Sequence, residues 1–412
     1  MNTLSYSIEE TAPIPEINFR PQDARAKPNL CFLCGGLEPG SDRVGDYARR
    51  LAGECRRQGA KTTLIALHDP DVEQICLEKQ LDAHTPVPVL RLPATVPWSA
   101  RIWQARDWLM HFPADWLSLQ FVPSAFHSKG LCFGLGQRLA AANRNAAWHV
   151  MFHELWLGLS VKDSVTQRLW GGLQRRAIRH LLQQLQPRVI HTQAEPYRAV
   201  LSRESLAVRR LPLFGHIRRA PDDAWENLLQ PVLFGEVNHP VSRHEFYLAG
   251  VLGEVPPEWN AERAVNVILP LVRQHNKRLA LFFLGRDNLS PKASAHLKRS
   301  LGYRAIVAFL GERPGPETSR ILNTLDLGLA TSPQQIAEKS RAVATLREHG
   351  LPVLAVRDDW QLRQPVPLVS SVLTPEQFSA LDQLPVRDTS RLGGAGLRGV
   401  TRQLLSDLAN AS

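Results

Sequence analysis

A chain of 412 residues, 44% hydrophobic and 21% charged, has the make-up of a soluble globular protein and is too long for one ordinary core, so two domains are expected. Five cysteines in that length do not make a disulfide framework. The net charge of +10 comes from scattered arginines, and no zinc-finger, RNP or helix-turn-helix spacing turns it into a nucleic-acid reader.

Residues 1–27 read as a flexible leader, with Pro13, Pro15 and Pro21 among mixed charges and no apolar core of a signal peptide. No apolar run approaches the ~20 residues needed to span a bilayer, so the cytoplasm is the expected compartment. A short apolar strand at 30–33 meets a glycine-bearing loop at 35–45 and a helix over 46–58 that Gly59 caps; a strand at 62–67 completes a βαβ opening. Strand-like runs follow at 87–92, 116–121, 147–152, 189–192 and 209–213, with helices notably over 98–111 and 164–185. After a less periodic connector a second alternation begins. It has strands at 246–252, 278–284, 306–310 and 327–330 and helices over 260–274, 291–301 and 316–325. A helix over 397–408 stands alone after the glycine-rich 393–396. The alternation predicts mostly parallel sheets with helices on both faces. The expected divisions are 28–220, a connector at 221–243, a second domain at 244–392, and a trailing helix at 393–412 that returns to the first domain.

Metal-like spacings are few. Cys31 and Cys34 form a C-x-x-C, but Phe32 and Leu33 between them read as buried strand. His149 and His153 sit on a predicted strand, where four residues span ~13 Å, too far for one metal. Asp69-Pro70-Asp71 falls in the first half of the chain and reads as a solvated loop, and the adjacent Asp358 and Asp359 make a poor chelate. No metal site is expected.

The most telling segment runs from Ser332 to Ala355. An apolar strand ends at Ser332-Pro333, a helix opens around Lys339 and Ser340, and Gly350-Leu351-Pro352 launches another apolar strand. Backbone N–H groups at a helix N-terminus, with a cation and a hydroxyl beside them, suit an anionic phosphate group. An ordinary βαβ unit with an exposed lysine is the alternative.

That segment and others resemble the GT-B nucleotide-sugar glycosyltransferases, specifically the retaining group. The matching stretches are GSDRVGDYARRLA at 40–52, LSLQFVPSAF at 117–126 and WHVMFHELWLG at 148–158. In the second half they are YLAGVLGEVPPEW at 247–259, LFFLGR at 281–286 and FLGE at 309–312. The resemblance implies an α/β GT-B fold, two Rossmann-like domains facing a central cleft, with a nucleotide-sugar donor bound at the carboxyl ends of both sheets. It implies a hexosyl transfer with retention to a cell-envelope glycan, lipid or secondary metabolite, without metal. By resemblance His153 would hydrogen-bond the transferred sugar, and Glu154 would orient it or bind the acceptor. Gly45 would let the backbone approach the donor phosphates; Arg286, Lys339 and Ser340 would hold the diphosphate; Glu312 would lie near the nucleobase. Each has a structural alternative: helix-turn geometry for Gly45, a hydrogen-bonded core histidine, a solvated Glu154, a surface Arg286, a Glu312–Arg313 ion pair.

Two departures stand out. The positions where retaining members carry two glutamates eight apart are Ala337 and Thr345, with Glu338 one step off. Glu254-Val255-Pro256-Pro257 fills the loop where an Arg and a Lys are usual. A catalytically silent GT-B scaffold therefore competes with the enzyme, and it predicts a cleft plugged by side chains. A third expectation is contact with an anionic membrane through Arg175, Arg176 and Arg179, alone or as part of the first.

Overall fold

The computed structural model describes residues 27–142, 145–285, 291–366, 371–388 and 396–411. The expected leader, Lys27 apart, lies outside the described residues, as do Arg286 and most of the 393–396 stretch. The first sheet comprises β1 (Leu30–Cys34), β2 (Thr62–Asp69), β3 (Cys76–Asp82), β4 (Thr85–Pro93), β5 (Trp116–Phe121), β6 (Ala147–Phe152), β7 (Val189–Thr192) and β8 (Val208–Arg210). Its order is β3-β4-β2-β1-β5-β6-β7-β8, parallel throughout except for the β3–β4 hairpin. Around it lie α1 (Arg43–Arg57), α2 (Trp98–His111), α3 (Pro123–Phe126), α4 (Leu135–Ala142), α5 (Val165–Leu185) and α6 (Glu195–Ser202).

The connector holds a helix, α7 (Gln230–Val237), preceded by a π-helical turn. The second sheet, in the parallel order β11-β10-β9-β12-β13, is built from β9 (Phe246–Leu252), β10 (Arg278–Leu284), β11 (Ala305–Gly311), β12 (Leu327–Pro333) and β13 (Val353–Arg357). Its helices are α8 (Ala261–Gln274), α9 (Pro291–Leu301), α10 (Gly315–Thr324), α11 (Arg341–Glu348) and α12 (Pro375–Ser379). Finally α13 (Leu397–Ala409) crosses back and lies against α1, burying Val400, Leu404, Leu405 and Leu408 with Phe32 and Leu51.

The apolar runs are unbroken because both faces of each sheet are covered. In β1, Cys31 and Leu33 enter the core beneath α2, α4 and α5, while Leu30, Phe32 and Cys34 enter the core beneath α1 and α13. The period of two thus sends the thiols of Cys31 and Cys34 to opposite sides of the sheet, and they form neither a chelate nor a disulfide. Burial pushes both thiols up from their ordinary value. The second sheet repeats the division, with Phe246 and Leu248 on one side of β9 and Tyr247, Ala249 and Val251 on the other.

Two local expectations change, and one strand has no counterpart among the expected elements. That strand is β3, at the sheet edge, where Leu77, Lys79 and Leu81 are exposed and Gln80 and Asp82 are buried. The strand expected at 209–213 closes after Arg210. The single helix expected around Lys339 is divided: β12 runs on to Pro333, a 3₁₀ turn covers Gln334–Lys339, and α11 starts at Arg341.

Candidate functional site

In each sheet the chain reverses its direction of strand addition at one strand, β1 in the first and β9 in the second. Loops diverge there and leave a crevice at the carboxyl ends of the strands. The first domain brings the N-terminus of α1, the residues after β6 and β7, and the 210–216 segment to this crevice. The second brings the 3₁₀ turn and the N-terminus of α11.

Lys339 ends the 3₁₀ turn and reaches across to the first domain. Its Nζ lies 2.5 Å from Glu154 Oε1 and donates to the Tyr197 hydroxyl at 2.9 Å; that hydroxyl in turn donates to Glu154 Oε2 at 2.9 Å. The ammonium also sits 4.5 Å above the Tyr197 ring, a cation–π contact. Burial pulls the Lys339 pKa below its ordinary value and Glu154 opposes that pull. Two flanking residues repeat the pattern. Glu338 accepts from the Glu195 backbone N–H at 3.0 Å and from Arg210 at 2.6 Å. Arg341 meets Asp46 at 3.7 Å and donates to the Arg43 carbonyl at the N-terminus of α1.

Ser340 is the N-cap of α11, its Oγ accepting from the Val343 N–H at 3.4 Å, so the hydroxyl serves its own helix. Gly45 lies in the first turn of α1, where Asp42 caps the helix and accepts the Gly45 N–H at 2.7 Å. A Cβ there would stand 2.7 Å from the Gly36 carbonyl, so close backbone packing by itself requires glycine. Glu312 is exposed just past β11, and Arg313 turns to Glu317. Trp148 and Trp259 are buried, the latter donating to the Ala330 carbonyl.

His153 is buried, with both ring nitrogens engaged: Nε2 with Gln120 Oε1 at 2.9 Å and Nδ1 with Gln193 Nε2 at 3.1 Å. Tyr47 packs edge-on at 4.9 Å. Burial first, then Lys339 and Arg341, push its pKa down to about 3, so the ring is neutral. Asp69 is also structural. It is fully buried and paired with Arg91 at 2.8 Å, not a solvated loop carboxylate.

Of the two departed positions, Ala337 is fully buried in the core and Thr345 accepts from the His216 N–H at 3.1 Å. Glu348, one turn further on, accepts from the Gly215 N–H at 2.6 Å. Burial lifts its carboxyl from the ordinary 4.5 to about 7 against the opposing pull of that N–H and Arg50. A folded-state pKa above the unfolded one means the native protein binds more protons between those values, so stability falls as pH rises through that window. The contribution is at most about 1.4 kcal/mol per pH unit. Glu348→Gln is expected to flatten the urea-midpoint profile between pH 4.5 and about 7. An unchanged slope would remove Glu348 as its source.

The sequence reading names His153, Glu154, Lys339 and Ser340, and the structure brings them to one crevice. Arg286 lies outside the described residues. Tyr197, Arg341, Asp46, Glu195 and Arg210 went unnamed. The available signal was position: Glu195-Pro196 opens a helix just past β7, and Arg341 directly follows Ser340. Beside Glu154 the first domain opens a pocket of about 650 Å³ lined by Pro123, Ser128, Lys129, Leu157 and Trp170. Arg175 and Arg179 converge on Glu204, so two of the three cations expected to face a membrane are already compensated.

No protein-family model matches the chain, and no curated protein matches its sequence. Its structure is similar to that of α,α-trehalose-phosphate synthase (UDP-forming) from Burkholderia xenovorans, in complex with glucose-6-phosphate. The identity is 10% and the TM-score 0.51, over 92% of this chain and 100% of that one. It is also similar to α,α-trehalose 6-phosphate synthase from Burkholderia multivorans, at 9% identity and a TM-score of 0.51, over 93% of this chain and 98% of that one. The chain has the GT-B fold, two Rossmann-like domains facing a cleft.

Proposed function

We propose that the chain is a glycosyltransferase that takes its sugar from a nucleotide-sugar donor. The observation that carries this reading is Lys339: a half-buried cation held between the domains, one residue before a helix N-terminus and beside Arg341. A diphosphate entering the crevice would replace Glu154 and Asp46 as the partner of these cations, and free N–H groups of α11 would add to the field. Lys339 and Arg341 would then neutralise the leaving group, the task that a metal performs in other transferases. One of the similar structures is named as UDP-forming, which agrees with a nucleoside diphosphate as leaving group. The acceptor would enter from the pocket beside Glu154, whose Leu157 and Trp170 wall suits an apolar or sugar-bearing molecule. Retention of configuration rests on the sequence resemblance.

A second reading is supported by the same contacts. Glu338, Lys339 and Arg341 are each already paired across the crevice, and Ala337 and Thr345 stand where glutamates are usual. A GT-B scaffold that has lost its donor and holds its cleft shut would look like this. Calorimetry with the common nucleoside diphosphates separates the two. The enzyme reading expects binding by the wild type and about fivefold tighter binding by Glu154→Gln, because a competing ion pair of roughly 1 kcal/mol is gone. No binding by either protein would leave the scaffold.

A further inference from the structure

A continuous chain of hydrogen bonds, buried except at its Asp407 end, crosses the first sheet and joins the C-terminal helix to the cleft. From α13, Asp407 Oδ2 lies 3.0 Å from His191 Nε2; His191 Nδ1 lies 3.0 Å from His149 Nε2; His149 Nδ1 lies 2.8 Å from Ser118 Oγ. The Ser118 oxygen accepts from Gln120 Nε2 at 2.7 Å, Gln120 Oε1 meets His153 Nε2, and Gln193 Nε2 meets His153 Nδ1. The members come from β5, β6 and β7 at neighbouring positions, so parallel pairing alone places them side by side; Ser118 and His149 are register partners, as are Gln120 and Met151. Ser118, Gln120, His149 and His191 are fully buried, so no water competes for their bonds.

Where each imidazole carries one hydrogen, it donates from one nitrogen and accepts at the other, so the group at the end of the chain sets the direction of its links. The carboxylate of Asp407 only accepts. It therefore takes the His191 Nε2 hydrogen, which makes His191 Nδ1 an acceptor for His149 Nε2–H and His149 Nδ1 an acceptor for the Ser118 hydroxyl. The Ser118 oxygen is left to accept from Gln120, whose carbonyl then requires the hydrogen of His153 on Nε2. Gln193 presents its amide nitrogen to Nδ1 from the other side and agrees with this tautomer without enforcing it, because the amide can turn to offer its oxygen instead. Arg209 donates to the second Asp407 oxygen at 2.7 Å and keeps the carboxylate in place.

We propose that Asp407 is a positioning residue for the cleft, fixing His153 through this chain as the tautomer with its hydrogen on Nε2. Gln193 stands at the carboxyl end of β7, and Gln120 lies inside β5, so Gln193 is the partner that a cleft ligand can displace. A ligand group in its place meets the Nδ1 lone pair and has to donate: a hydroxyl fits, and a phosphate or carboxylate oxygen does not. The assignment stands whichever ligand the cleft takes.

The test is a long-range ¹H–¹⁵N correlation spectrum of protein labelled at histidine, at mildly alkaline pH, with His153 identified by its loss in His153→Gln. Wild type is expected to show His153 protonated on Nε2 and bare on Nδ1. In Asp407→Asn, Arg209 holds the amide oxygen, the amide nitrogen faces His191, every link reverses, and the His153 hydrogen moves to Nδ1. Ser118→Ala, remote from the helix, is expected to leave His149 and His191 unchanged and to release His153 into a mixture of tautomers. A wild-type His153 protonated on Nδ1 would overturn the proposal. So would a folded Asp407→Asn in which His153 is unchanged. If Asp407→Asn does not fold, Ser118→Ala decides, and a His153 signal identical to wild type refutes the link.

Discussion

Lys339→Ala is expected to weaken nucleoside-diphosphate binding about 10- to 100-fold while changing folding stability by less than about 1 kcal/mol. The two effects separate because Lys339 has different partners in the two situations. A charge-assisted hydrogen bond to phosphate contributes about 1.5–3 kcal/mol, and its loss sets the binding effect. In the unliganded protein the lysine is paired with Glu154, whose side chain is 48% exposed, and such pairs contribute little. Once the lysine is gone, Glu154 keeps the Tyr197 hydroxyl and its access to water, so no buried charge is stranded. Removing a cation that burial already disfavours offsets part of the lost attraction. Calorimetry gives the first quantity and a denaturant midpoint the second. Unchanged affinity with unchanged stability would move the phosphate away from α11.

The same lysine shows how far the sequence could be read. A strand, a Ser-Pro turn and a Gly-Leu-Pro exit follow from local rules of backbone freedom, and they place Lys339 at a strand's carboxyl end without any tertiary information. What local rules cannot supply is the partner. Glu154 lies 185 residues away, and Tyr197 142, so the pairing depends on how two sheets meet. Ser340 illustrates the reverse case: a hydroxyl just before a helix is the ordinary N-cap, and the structure uses it so. The relay behind His153 had no signature either. Ser118 and Gln120 sit within an apolar strand, and only the register of β5, β6 and β7 aligns them with His149 and His191. The strand β3 gave no pattern for a related reason: its buried positions are Gln80 and Asp82, which Arg49 and Arg57 of α1 satisfy, while Leu77 and Leu81 face outward.

Arg91→Ala is expected to destabilise the first domain by about 3–5 kcal/mol. Arg91 on β4 is nearly buried and holds Asp69, at the end of β2, through Nε at 2.8 Å; it also reaches Glu38 at 2.7 Å and Glu78 on β3 at 3.6 Å. Asp69 is fully buried and accepts the Leu37 N–H at 3.1 Å, so it anchors the loop that leads into α1. Without the guanidinium its charge would remain in the interior with only that N–H and the Asp71 N–H at 3.0 Å to compensate it. The double variant Asp69→Asn with Arg91→Met removes both charges and is expected to recover most of the loss, because the cost lies in the stranded carboxylate and not in the missing attraction. The loss should also reach the cleft: the anchored loop carries Asp42, the cap of α1, and α1 presents Asp46 to Arg341. Denaturant titrations of the single and double variants measure the first effect, and hydrogen exchange at the Val44 and Gly45 amides measures the second. If the double variant is as unstable as Arg91→Ala, the stranded charge is not the cause, and the packing of the guanidinium between β2 and β3 is.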